Sequence, residues 1–344
     1  MKNYRIRPYF SVVAHSPDTA EIRYGVWNAT SCTLRDESNS GMLTRLLLRL
    51  DGTSSVDEIA DSERVGRDEV ERLLERLNEH GIIETGATNA LDFVLDRTPG
   101  ARGARVEAPD RPMPVAIVGD VELFGTVAGL LRGSLPDLLV LLPSESADLH
   151  DLQSIADPDD DALVFQDGLR RFEHWRKHLL IVMQRIVDPE WAHKINRVCL
   201  ALRTPWLHAA LDGPFLFVGP LTVPNRSACF DCFETRVMMN LRESTTYQRY
   251  KRAVVERLIK AGTVPVEPVV SNLLASHTTI EALNYLLTEH SCLIGKVLSI
   301  YLPTMEFTYH DVLRLPNCRS CAPQSGTMRR ELHFDVAAVI EPTR

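Results

Sequence analysis

The chain has 344 residues, 44% of them hydrophobic and 24% charged, with a formal net charge of -8 at pH 7. Such a length suggests two domains of roughly 100–200 residues each, and the composition is ordinary for a soluble globular protein. The acidic balance argues against a general nucleic-acid binder, and no apolar run reaches the roughly 18 residues of a membrane span.

Met1 to Tyr4 lead straight into polar and aromatic residues with no apolar core of signal-peptide length, so a cytoplasmic protein is expected. Residues 9–14 and 20–26 alternate as strands do, with a turn signal at Ser16, Pro17 and Asp18. A third short strand is expected at Thr30–Arg35. Leu43, Leu46, Leu47 and Leu50 then recur at the spacing of one helical face, stopped by Asp51 and Gly52. Ser55 and Glu58 form a capping box that opens a short helix through Ala60. Val70, Leu73, Leu74 and Leu77 repeat the helical face up to Gly81. Residues 82–84 and 91–95 read as a two-stranded wing. The expectation is a winged helix-turn-helix module over 1–95 and a linker over 96–112 rich in Pro, Gly, Ala and Arg. Its last helix, residues 67–79, carries five acids against three arginines, the wrong charge for a DNA-facing helix.

From residue 113 to 344 the pattern is α/β. Residues 115–118 form an apolar run between proline and glycine, as a strand buried on both faces would. Further strands are expected at 138–142, 179–183, 206–210 and 215–219, and a late hairpin at 297–302 and 305–309. Helices are expected at 121–131, 188–202 and 271–287. This alternation implies a mostly parallel, layered sheet. The basic stretch 242–260 reads as a helix or insertion with a solvated face, with partner docking as a second reading.

Seven cysteines include two CxxC pairs, Cys229/Cys232 and Cys318/Cys321. Each pair lets a tight turn aim two thiols at one ion, and together they supply the four soft ligands of a structural zinc. Four thiolates leave no position for a catalytic water. A redox role is disfavoured because no helix start is visible at either pair. Cys199 and Cys292 stand alone, and the histidines, His193 and His208 among them, are scattered without a catalytic pattern.

Gly119, Gly125 and Gly129 do not have G-x-G-x-x-G spacing, and Asp120 and Glu122 put negative charge where phosphates should lie. No P-loop is present, so no ATP site is expected.

Asn196 to Cys199, Thr204-Pro205, Gly219-Pro220, Pro224 and the two CxxC pairs are similar to the ThiF-like, ubiquitin-activating-enzyme-like adenylating fold. That family has the same zinc arrangement, but its Asp-x-x-Asp strand end would fall near Met183–Ile186, where it is absent. Leu50-Asp51-Gly52, Ser55 to Ile59, the helix through Leu77 and Gly81 to Ile83 resemble the PqqD-like precursor-peptide recognition element. Both in this order resemble the ThiF-like partner proteins of azoline-forming (thiazole/oxazole-modified microcin) biosynthesis.

That resemblance implies binding of the leader of a ribosomal precursor peptide and its delivery to a YcaO-type cyclodehydratase, with structural zinc, no catalysis of its own and a homodimer. The leader would add a strand beside Thr30, Cys32 and Leu34. The groove wall would be Val70, Leu73, Leu74 and Leu77, with Arg72 and Arg76 for acidic leader side chains. The alternative is an ATP-dependent adenylating enzyme acting on a peptide carboxylate.

Overall fold

A computed structural model describes residues 3–27, 30–85, 112–142, 147–258 and 267–322. The chain divides into two compact units, Met1–Ala108 and Pro109–Arg344.

In the first unit β1 (Asn3–Ile6) precedes a meander of β2 (Phe10–Ser16), β3 (Thr19–Tyr24) and β4 (Thr30–Arg35). The meander is antiparallel, with Ala20 opposite Leu34 and Ile22 opposite Cys32. Then come α1 (Leu43–Arg49), β5 (Asp51–Ser55), α2 (Val56–Glu63), α3 (Arg67–Glu79) and β6 (Ile83–Glu84). The capping box is present: Ser55 Oγ accepts from Glu58 N–H at 3.4 Å, and Ser55 N–H donates to Glu58 Oε2 at 2.8 Å. The helix it opens runs past Ala60 and stops where Arg64 turns left-handed at φ 59.

Of the expected wing, residues 91–95 lie outside the described residues; β6, its first strand, pairs with β1, which also pairs with β5. The partner is a short N-terminal strand that the sequence reading missed. The core lies between the meander and the helices, from Ala20 and Ile22 to Leu46, Leu47, Ile59, Val70, Leu74 and Leu77. Each large side chain buried there contributes about 1.5–3 kcal/mol.

The second unit contains β7 (Val115–Gly119), α4 (Val121–Ser134), β8 (Val140–Leu141), α5 (Ala147–Ser154) and α6 (Ala162–Leu169), which leads into a 3-10 turn. It continues with β9 (Leu179–Gln184), α7 (Pro189–Leu202), β10 (Trp206–Asp212) and β11 (Phe215–Thr222). Its last described elements are α8 (Phe230–Asn240), α9 (Ser244–Val255), α10 (Pro268–Thr288), β12 (Lys296–Tyr301) and β13 (Glu306–Asp311).

The strands form one sheet in the order β13-β12-β11-β10-β9-β7-β8. Only β8, β7, β9 and β10 are parallel; β10 to β13 alternate in direction. The expected mostly parallel sheet is therefore mixed, because Gly213 and Pro214 reverse the chain directly between β10 and β11 with no crossover helix. Along β7, Val115 and Ile117 enter one core with α4 and α10, while Ala116 and Val118 enter the other with α7. That two-sided burial is why the strand reads as an unbroken apolar run. Among the described residues no helix is long and apolar enough to cross a membrane.

Candidate functional site

Cys229 caps the N-terminus of α8, and Cys232 lies in its first turn. A helix start does therefore coincide with the first pair; it was hidden because the turn opens on Cys-Phe-Asp, without a recognisable cap. Cys318 and Cys321 follow β13, in a turn where Cys318 N–H donates to Leu315 O at 3.3 Å and Ala322 N–H to Cys318 O at 3.0 Å. The four sulfurs lie within 4.8 Å of one another. Cys229 is 3.9 Å from Cys232 and 3.6 Å from Cys318, and Cys232 is 3.5 Å from Cys321. A tetrahedron with metal–sulfur bonds of about 2.3 Å has edges of about 3.8 Å. The distances fit that figure and are far too long for a disulfide, about 2.05 Å.

Cys229, Cys232 and Cys318 are buried and Cys321 is half-buried. Hydrogen bonding among the sulfurs pulls the Cys232 and Cys318 thiols below the usual range and pushes Cys229 above it. The four thiols cannot all ionise side by side without a cation. Leu315 N–H donates to Cys232 Sγ at 3.3 Å, an orienting bond typical of ligating thiolates. The cluster can hold a soft, tetrahedral cation such as zinc.

A polar network that the sequence reading missed surrounds the cluster. Asp231, between Cys229 and Cys232, bonds His193 Nδ1 at 2.6 Å and accepts from Asn196 Nδ2 at 3.2 Å and from the Ser320 hydroxyl, which lies between Cys318 and Cys321. His193 Nε2 bonds Glu234 at 2.7 Å. Burial alone would lower the His193 pKa, but the two carboxylates more than reverse this and raise it to about 9. The available signal was His193, Asn196 and Arg197 at helical spacing on α7, one stripe that meets both cysteine turns.

At the C-terminal end of β7, Gly119 takes φ 126, and a Cβ there would lie 1.8 Å from Met183 O. Only a glycine permits so close an approach of strand and backbone. The chemistry beside it does not suit phosphate. Arg185 Nη2 pairs with Asp120 and Glu122, both at 2.9 Å, and Arg185 N–H donates to Asp120 at 3.1 Å. Two carboxylates thus occupy the α4 N-terminus. Asp188, the nearest acid past β9, caps α7 by accepting from Trp191 N–H at 3.1 Å.

At the other candidate site, Cys32 and Leu34 are half-buried on the inner face of β4, while Ser31, Thr33 and Arg35 face outward. Thr30 begins the strand opposite Tyr24. Among the described residues β4 is an edge strand. Val70, Leu74 and Leu77 are 1%, 5% and 0% exposed, so the structure places them in the core and leaves them no surface for a groove. Leu73 is half-buried, and Arg72 and Arg76 are exposed on the same helix.

No protein-family model matches the chain, nor does any curated protein. Solved structures do match. A heterocyclase in complex with substrate and cofactor aligns with TM-score 0.67 at 17% identity, over 94% of this chain and 40% of its own. The heterocyclase TruD aligns with TM-score 0.67 at 19% identity, over 94% of this chain and 43% of its own. MccB of E. coli aligns with TM-score 0.52 at 14% identity, over 94% of this chain and 98% of its own. The chain thus spans about two fifths of the heterocyclases' length. At these identities the likeness is one of fold: this chain shares the fold of TruD and MccB over 94% of its length.

Proposed function

We propose that this chain recognises the leader of a ribosomally synthesised precursor peptide and delivers it to a YcaO-type cyclodehydratase that forms thiazoline or oxazoline rings. The observation that carries the reading is the edge of β4, whose half-buried Cys32 and Leu34 have, among the described residues, no further strand beside them. An extended peptide gains backbone hydrogen bonds on such an edge, and its alternate side chains turn inward. Leu73 offers apolar surface, and Arg72 and Arg76 attract acids. The fold supports the reading, since it is shared with a heterocyclase solved with substrate and cofactor. Zinc in the cysteine cluster is structural in this proposal, and the ring-forming chemistry belongs to the partner.

A second reading, an adenylating enzyme, is favoured by the likeness to MccB solved with AMPCPP and MccA, at TM-score 0.54. The Arg185, Asp120 and Glu122 cluster opposes it.

Calorimetric titration of the full chain with the leader of a precursor encoded beside it tests the first reading. Saturable micromolar binding is expected, weakened roughly tenfold by the double reversal Arg72→Glu and Arg76→Glu, about 1.4 kcal/mol. No leader binding, together with stabilisation by ATP, would establish the second reading instead.

A further inference from the structure

Helix α9 lies within the basic stretch 242–260, and none of its residues is buried. It thus contributes no fully buried side chain to a core. A helix of its 12 residues is marginal by itself in water. Its anchor is polar: Tyr247 Oη donates to Glu234 Oε1 at 2.7 Å, and Lys251 Nζ to Glu234 Oε2 at 2.6 Å.

Glu234 is fixed from behind. Its side chain is 5% exposed, it stands two residues beyond Cys232, and His193 holds it at 2.7 Å. His193 is held in turn by Asp231, which takes the Ser320 hydroxyl from the other cysteine turn. Arg197 adds a bond from α7 to Arg319 O at 3.3 Å in that same turn. An unbroken run of polar contacts thus leads from both CxxC turns to α9. Beneath α9 lies a cavity of about 470 Å³ lined by Phe165, His193, Lys194, Arg197, Lys251 and Val255 among others.

We propose that α9 is a metal-coupled flap: it docks over this cavity when the four cysteines hold their metal and so place Asp231 and Glu234. Ion pairs and short hydrogen bonds depend steeply on geometry. Loosening the cysteine turns moves the acceptor that the helix needs. The coupling is reciprocal, so docking of α9 also tightens the metal.

The test uses the full zinc-loaded chain and compares wild type with Glu234→Gln and Lys251→Met. Amide exchange of residues 244–255 and zinc loss to a competing chelator are read together. Both variants are expected to exchange 244–255 about tenfold faster and to release zinc about tenfold more readily, the lower end for residues that support metal ligands. Exchange in β9 and β10 should stay at the wild-type rate. Lys251 sits on a helix with no buried residue, so its variant keeps the test valid if Glu234→Gln fails to fold. Unchanged protection of 244–255 in Lys251→Met would overturn the proposal. Faster exchange with unaltered zinc retention would overturn it equally, because it would leave the helix and the metal uncoupled.

Discussion

Gly119 and Gly125 lie six positions apart on one strand–helix unit, yet only one of them has to be glycine. Gly119 combines φ 126 with a backbone oxygen 1.8 Å from where a Cβ would sit, whereas Gly125 faces open space. Gly119→Ala should cost more than about 3 kcal/mol or prevent folding of the second unit. Gly125→Ala, in a helix interior, should stabilise by about 0.5–1 kcal/mol. Urea unfolding of the two variants checks both, and equal effects would refute the assignment of Gly119 as the strained position. His193 gives a pH prediction. Its folded pKa of about 9 lies above its ordinary 6.5. Its contribution to stability is therefore fully present below 6.5 and lost as pH rises through 9. Wild type should weaken over that window, while His193→Gln should start lower and stay flat. Parallel decline in both proteins would assign the titration to another group. Neither residue's role was readable from the chain: a lone histidine among scattered ones reveals its partners only once α7 and α8 are packed together.

Elements with strong local signals were legible. The Leu43–Leu50 face, the capping box at Ser55 and the proline start of α7 after Asp188 all specify themselves within a few residues. Ser55→Ala should cost about 1 kcal/mol, the usual worth of such a cap, and shift the denaturant midpoint without changing the slope. A variant as stable as wild type would show that tertiary packing alone holds α2. What was missed is short or depends on distant partners. β1 and β5 have four and five residues, and they become strands only in the sheet β5-β1-β6, whose members lie far apart in sequence. α8 starts at a cysteine that stands in the four-thiol cluster and at the cap position at once, so its local sequence carries no start signal. The antiparallel half of the large sheet follows from a tight reversal after β10, a feature that strand and helix alternation does not encode.

At the scale of the molecule, the cysteine cluster joins positions 89 residues apart in sequence, Cys229 and Cys318. The spacing of the pairs made this closure legible in the sequence, because a shared ion would give two distant CxxC turns a common purpose. A cross-link of that loop length restricts the unfolded chain by about 4–5 kcal/mol on the entropic estimate. That is close to the whole stability of an ordinary domain, about 5–15 kcal/mol. Loss of a metal held there would also leave buried thiols with no cation and loosen the turns before α8 and after β13. Chelation or Cys318→Ser should therefore abolish the cooperative unfolding transition of the second unit. The first unit's described core runs from Ala20 to Ile83 and includes none of the four ligands, so its transition should survive. Calorimetry with and without chelator separates the two. A second unit that still melts cooperatively and at the same temperature without metal would reduce the cluster to four packed thiols and remove the structural role assigned to zinc.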